Sequence, residues 1–311
     1  MRKTAFLFPG QGSQSVGMGE EFYREYDIVR EIFDMAEEIC RIHLSKLCFK
    51  GPMEDLTMTV NLQPAVTAVN LACLAVIEKE NVVFHHSAGH SLGEYSALCA
   101  GGVHSNEDTF RLVFKRGELM HREATRNNGA MHAIVGLPMD DVADMVARVQ
   151  KTGMVSVANH NTELQIVITG APEAVEKVSS LAEAKGAKSV PLKVSGAWHS
   201  ELIKGAQDEF KDYLDTIAFE APQKQVFFNV TAAQEEDPAE IRNIMARQLC
   251  SPVRWYDTMN QLMDEEVEIF VEVGPGRVLA GLLKKTLPQD YPGKFYNVAN
   301  MNQLDKFLNA A

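Results

Sequence analysis

The sequence predicts an α/β protein in which a larger domain with a parallel sheet is interrupted by a smaller domain of order β-α-β-β-α-β. Three observations carry this. Short β-prone runs such as Thr4–Phe8 and Glu268–Val273 stop at Gly or Pro and lead into helix-forming sequence, as strands alternating with helices do. Between residues 127 and 198 the rhythm changes to strand, helix, two strands, helix, strand. The 311 residues are 46% hydrophobic and 23% charged, an ordinary globular balance that excludes a disordered chain and allows a large buried core.

In chain order, Thr4–Phe8 reads as a buried strand ending at Pro9-Gly10. A glycine-rich loop follows, Gly10-Gln11-Gly12-Ser13-Gln14, and helical sequence resumes near Met18. Gln63–Lys79 carries small and apolar residues on most positions, with Pro64 placed for a first helical turn, so a largely buried helix is expected. Residues 82–89 read as strand and Glu94–Ala100 as helix, followed by a long amphipathic helix over Asn106–Thr125 with Asn106 as its N-cap. The middle section gives strands at Ala130–Leu137, Met154–Asn159, Gln165–Gly170 and Lys188–Lys193, with helices at Asp140–Lys151 and Pro172–Lys185. That order is the split βαβ arrangement of a ferredoxin-like unit. The expected division is therefore 127–198 as a small inserted domain, with 1–126 and 199–311 forming the large one. Gln225–Val230 and Glu268–Val273 supply later strands, Glu240–Leu249 a helix, and Gly274-Pro275-Gly276 opens a final helix to about Lys285.

Charge and cysteine usage narrow the function classes. Acidic residues outnumber basic ones 42 to 30, for a net charge of −12, which argues against a broad nucleic-acid surface. The five cysteines are scattered and form no C-x-x-C pair, so neither a disulfide framework nor a structural zinc site is indicated. The apolar stretch Ala5–Pro9 is too short for a secretory or membrane-spanning segment. A cytoplasmic protein away from the membrane is expected.

Gly89-His90-Ser91-Leu92-Gly93 is a G-x-S-x-G motif between a predicted strand and a predicted helix. Glycines two residues either side of the serine suit the crowded turn that lifts a nucleophile to the mouth of a sheet, as in α/β-hydrolases. The Leu92 N–H can then help hold an oxyanion. A nucleophilic serine needs a base. Of nine histidines, His85, His86 and His90 cluster without a downstream carboxylate to complete a metal site, and His43, His104, His121 and His132 sit in ordinary contexts. His199 stands where the large domain resumes, and domain junctions are where clefts form. Its position alone leaves a base and a capping or core histidine equally open.

Several further stretches extend this constellation. They are Phe8-Pro9-Gly10-Gln11-Gly12-Ser13-Gln14, Gln63-Pro64-Ala65, Glu94-Tyr95-Ser96, Arg116-Gly117-Glu118-Leu119-Met120 and Val194-Ser195-Gly196-Ala197-Trp198-His199-Ser200. Pro252-Val253-Arg254-Trp255 and Glu272-Val273-Gly274-Pro275-Gly276 complete the set. Together, and in this order over nearly the whole chain, they resemble the malonyl-CoA:acyl carrier protein transacylases.

The resemblance implies a large domain like an α/β-hydrolase core and transfer of a malonyl group from malonyl-CoA to a phosphopantetheinylated acyl carrier protein. An ester on Ser91 would be the intermediate, with His199 as acid and base. It also implies Gln11 and Leu92 at the oxyanion, Arg116 on the malonyl carboxylate, and a backbone carbonyl near Gln248 orienting His199. Gln63, Asn161 and Trp198 are implied as supporting residues, with a helix N-terminal role as the other reading of Gln63. No cofactor and no metal are implied, and a monomer is expected. The chain departs from the family where Glu163-Leu164 replaces Pro-Gly after Asn159-His160-Asn161-Thr162, and at Trp198, where phenylalanine or serine is common. Competing readings are a serine thioesterase or esterase, an acyltransferase serving a polyketide synthase with another acyl preference, and an inactive docking partner.

Overall fold

In the computed structural model, which describes residues 2–310, strand β1 (Thr4–Phe8) is buried over its whole length. Five helices follow: α1 (Glu20–Glu25), α2 (Asp27–Cys40), α3 (Leu44–Lys50), α4 (Met53–Thr57) and α5 (Thr59–Lys79). α5 is buried on nearly all sides. It is long and apolar enough to cross a membrane, but 83% of its most apolar window is buried inside the protein, as in the core helix of a large domain. α5 starts a turn earlier than the sequence suggests, which puts Pro64 inside the helix and Gln63 in its second turn. A helix N-terminal role for Gln63 is thereby set aside.

β2 (His86–Gly89) leads through the Ser91 turn into α6 (Gly93–Ala100), then α7 (Asn106–Arg126). β2 is shorter than the β-prone run over 82–89. The N-cap of α7 is Ser105 and not Asn106: Ser105 has extended backbone, and its Oγ accepts from the Asp108 N–H at 3.1 Å. Gly117 lets α7 lie against the α5 backbone, where a Cβ would stand 3.2 Å from the Thr59 carbonyl oxygen. This close approach brings Arg116 beside Gln63.

Next come β3 (Ala130–Val135), α8 (Met139–Val149), β4 (Val155–Thr162), β5 (Gln165–Gly170), α9 (Pro172–Ala184) and β6 (Lys188–Pro191). The four strands form an antiparallel sheet in the order β4-β5-β3-β6. Side-chain alternation divides its faces. Ile134, Ile166 and Ile168 pack with Val142, Met145, Val175 and Val178 of α8 and α9, whereas Met131, Ala133 and Val167 join the core of the larger part. The Glu163-Leu164 departure forms the two-residue turn joining β4 and β5, neither residue has positive φ, and register shifts in β4 flank Asn159 and Asn161. These irregularities re-aim side chains beside the cleft.

The chain then adds α10 (Lys204–Leu214), β7 (Gln225–Phe227), α11 (Pro238–Arg247), α12 (Trp255–Asp264), β8 (Ile269–Val273) and α13 (Val278–Thr286). The sequence reading ends on α13, but β9 (Lys294–Val298) and α14 (Met301–Leu308) follow it. β9 closes a five-stranded, wholly parallel sheet, β7-β2-β1-β8-β9. Buried on both faces, its inner strands are continuously apolar where β1 and β8 pair. Thr4 at the start of β1 and Glu272 in β8 are the exceptions, and the Glu272 carboxylate accepts from the Leu279 and Ala280 N–H groups, both at 3.0 Å. Burial raises its pKa, and capping the first turn of α13 offsets part of that cost.

Candidate active site

The β2–α6 turn explains the spacing of its glycines. A Cβ on Gly89 would fall 2.0 Å from the Gly93 carbonyl carbon, and one on Gly93 2.0 Å from the Phe8 carbonyl oxygen. Between them Ser91 takes φ 51°, a left-handed conformation that costs energy for a residue other than glycine. The turn is held from both sides. The Ser91 N–H donates to Asn229 Oδ1 at 2.7 Å, and the Ser91 carbonyl accepts from Gln248 Nε2 at 3.0 Å.

Ser91 Oγ lies 2.8 Å from His199 Nε2. His199 Nδ1 is 3.1 Å from the Gln248 carbonyl and 3.0 Å from that of Ser251. Two acceptors at Nδ1 select the Nδ1–H tautomer, which leaves Nε2 free to accept the serine proton. Burial, and after it the nearby Arg116 cation, lower the His199 pKa to about 3. The imidazole is therefore neutral, as a base must be.

Arg116 is 2% exposed. Its Nε donates to Gln248 Oε1 at 3.2 Å, Nη1 to Gln63 Oε1 at 2.9 Å and Nη2 to Ser91 Oγ at 3.2 Å. The guanidinium also sits 5.5 Å from the Tyr95 ring centroid. Guanidinium carries five N–H donors, so donors remain for a ligand. Among the described residues no carboxylate is bonded to it. A buried cation surrounded only by neutral acceptors is a receptor for an anion.

A pocket of about 180 Å³ joins these groups. Gln11, Leu92, Gln63, Trp198 and Asn161 line it, as do Met131 and Val167 of the small sheet. The volume suits an acyl group rather than a whole coenzyme. Among the described residues the Gln11 and Leu92 N–H groups donate to no protein acceptor, which leaves both for a developing oxyanion. Asn161 Oδ1 is 2.8 Å from His90 Nε2, tying the small sheet to the serine turn. Trp198 is 5% exposed and folds over Gly196. A larger open groove of about 860 Å³, lined by residues such as Asp34, Glu38, Arg111 and Glu118, contains none of these groups.

The sequence reading overlooks Asn229, Glu94 and the Ser251 carbonyl. Glu94 had a signal: a carboxylate three residues after the nucleophile in an otherwise small and apolar helix. Asn229 has none, because nothing local distinguishes a loop asparagine. Near the cleft and the helices around it, Lys115, Arg122, Arg126 and Arg254 are paired with Glu209, Glu123 and Asp257. Lys188 and Lys193 have no ion-pair partner among the described residues.

Comparison with known proteins agrees with this geometry. The acyl transferase domain family model matches residues 5–309. Malonyl CoA-acyl carrier protein transacylase of Bacillus subtilis strain 168 is 43% identical over 287 residues, covering 92% of this chain and 90% of that protein. A crystal structure of an acyl carrier protein S-malonyltransferase from Vibrio cholerae superposes with TM-score 0.93 at 39% identity, over 98% of this chain and 99% of that one. A malonyl-transacylase in complex with its type II PKS acyl-carrier protein superposes with TM-score 0.95 at 36% identity, over 99% of this chain and 100% of that one. With a serine turn, a carbonyl-oriented histidine and a buried arginine on one pocket, and with likeness along its whole length, this chain belongs to the malonyl-CoA:acyl carrier protein transacylase family.

Proposed function

We propose that the protein transfers malonyl from malonyl-CoA to the phosphopantetheine thiol of an acyl carrier protein, in fatty-acid or polyketide synthesis. The carrying observation is that Arg116, a buried cation, donates from Nη2 to Ser91 Oγ at 3.2 Å, which places the guanidinium within reach of a carboxylate on an acyl group carried by that oxygen. In the first half-reaction Ser91 Oγ attacks the thioester carbonyl carbon as His199 Nε2 takes its proton. The Gln11 and Leu92 N–H groups hold the oxyanion, the C–S bond breaks, and His199 returns the proton to the departing CoA sulfur. In the second, His199 deprotonates the carrier thiol, whose sulfur attacks the ester carbon, the C–Oγ bond breaks, and His199 returns the proton to Ser91 Oγ. This is a ping-pong sequence needing no further cofactor.

The malonyl carboxylate on Arg116 neutralises the cation that lowers the His199 pKa, so the correct substrate strengthens its own base. Residues 127–198 act as an inserted domain whose sheet roofs the pocket, and 1–126 with 199–311 carry the chemistry. Gln63 and Gln248 hold Arg116, Asn161 holds His90, and Trp198 bounds the acyl space. The enzyme acts as a cytoplasmic monomer. Intact-mass analysis after mixing with malonyl-CoA tests the reading. One malonyl adduct is expected, mapping to Ser91, absent in Ser91→Ala and discharged by phosphopantetheinylated carrier. An adduct on another residue, or hydrolysis outrunning transfer, contradicts it.

A further inference from the structure

Glu94 sits at the junction of the hydrogen bonds that define this site. It is fully buried in the first turn of α6. Its Oε1 accepts from the Asn229 backbone N–H at 2.7 Å, and its Oε2 from Gln248 Nε2 at 2.5 Å. Asn229 is the residue that binds the Ser91 N–H, and Gln248 the one that binds the Ser91 carbonyl. One carboxylate thus braces both sides of the nucleophile's backbone.

The second consequence concerns the Gln248 amide, which has two orientations of nearly equal shape. A carboxylate accepts and cannot donate, so Glu94 draws the Nε2 end toward itself. The Oε1 end then faces Arg116 Nε at 3.2 Å and the Tyr95 hydroxyl at 3.3 Å. With the amide reversed, an NH2 group would confront the guanidinium. Burial raises the Glu94 pKa to about 7, against the pull of Gln248, Asn229 and Arg116. Both oxygens meet N–H donors, so the ionised form is the one its surroundings satisfy. Glu94 also gives Arg116 a compensating charge one amide away, which leaves the guanidinium's own contact open for substrate.

We infer that Glu94 is a positioning residue for acyl selectivity: through the Gln248 amide it sets the Arg116 guanidinium for a substrate carboxylate, and through Asn229 and Gln248 it braces Ser91. The inference rests on the malonyl-transfer reading. Loading from malonyl-CoA and acetyl-CoA is measured for wild type, Glu94→Gln, Gln248→Ala and the double variant, with circular dichroism to verify folding. Glu94→Gln keeps the volume and loses the acceptor-only constraint. Both rates should fall as Ser91 loosens, and malonyl further, lowering the malonyl-to-acetyl ratio of kcat/KM about tenfold, the effect of one hydrogen bond to a charged group. Because the effect passes through Gln248, adding Glu94→Gln to Gln248→Ala should change the ratio little further. An unchanged ratio, equal loss of both acyl groups, or independent effects in the double variant overturns the inference. If Glu94→Gln does not fold, Gln248→Ala decides, and a wild-type ratio there overturns it. A wild type that forms no malonyl ester instead refutes the functional reading.

Discussion

Ser91 and His199 meet at 2.8 Å, Oγ to Nε2, and both hold left-handed backbone, with φ 51° and 59°. Each strained residue is held by groups outside its own segment. Ser91 is braced by Asn229 and Gln248, and His199 by the Gln248 and Ser251 carbonyls. Strain of about 1–3 kcal/mol per residue persists only where the surroundings over-determine it. Here Gln248 belongs to the surroundings of both partners.

His199 should remain neutral in the Nδ1–H tautomer well below the usual imidazole range. Its pKa is lowered by burial and by Arg116, so the ring gains its proton only at strongly acid pH, and lowering pH from 7 to 5 should not charge it. Nitrogen-15 NMR of labelled histidine checks this, and Arg116→Ala should move the transition upward by removing the cation. A His199 titration near 6.5 in the wild type contradicts the burial argument.

Arg116→Ala should lose malonyl loading by about 10²-fold or more, as expected when a buried charge-assisted contact is removed. Acetyl loading should hold or improve, since no cation is left without a partner. Measured kcat/KM for both thioesters provides the check. A parallel loss of both would give Arg116 a structural role, through Gln63 and Gln248, in place of carboxylate recognition.

Trp198 lines the acyl pocket while almost fully buried. Malonyl-CoA should be preferred over methylmalonyl-CoA by roughly 10–200-fold, the range for one methyl group in a fitted pocket. Trp198→Ser should narrow that gap. An unchanged ratio in a folded, active variant would leave Trp198 only its packing against Gly196 and the core.

Lys193 lies between Leu192 and Val194, which both line the pocket, and Lys188 stands at the start of the edge strand β6 that precedes them. With Lys115, Arg122, Arg126 and Arg254 paired to carboxylates, these two should carry the attraction for an acidic carrier. Lys188→Glu with Lys193→Glu should raise KM for the carrier several-fold, more at low salt than at high, and leave malonyl loading from CoA at the wild-type rate. Steady-state kinetics at two ionic strengths separates this from a general loss of activity.

What was legible in the sequence is local. Thr4–Phe8 and Gln165–Gly170 form strands over the expected residues because short, strongly patterned runs bounded by glycine or proline carry their own signal. The two glycines around Ser91 announce a turn that excludes side chains, and the element order from β3 to β6 follows from alternating periods of two and 3.6 residues. β9 and α14 were missed because Lys294–Val298 is partly polar and pairs only as a sheet edge, where its buried positions are set by β8. The start of α5 was missed because Pro64 is usually an N-terminal signal, whereas here packing against Gly117 outweighs it. Tertiary structure alone decided which groups face one another. Asn229, Gln248 and the Ser251 carbonyl come from segments far along the chain, Gln248 lying 157 residues from Ser91, and their roles and that of Glu94 arise from hydrogen bonds across the core. A hydrogen bond between distant segments leaves no periodicity along the chain, so the serine turn could be read from its own pentapeptide and the network that holds it could not.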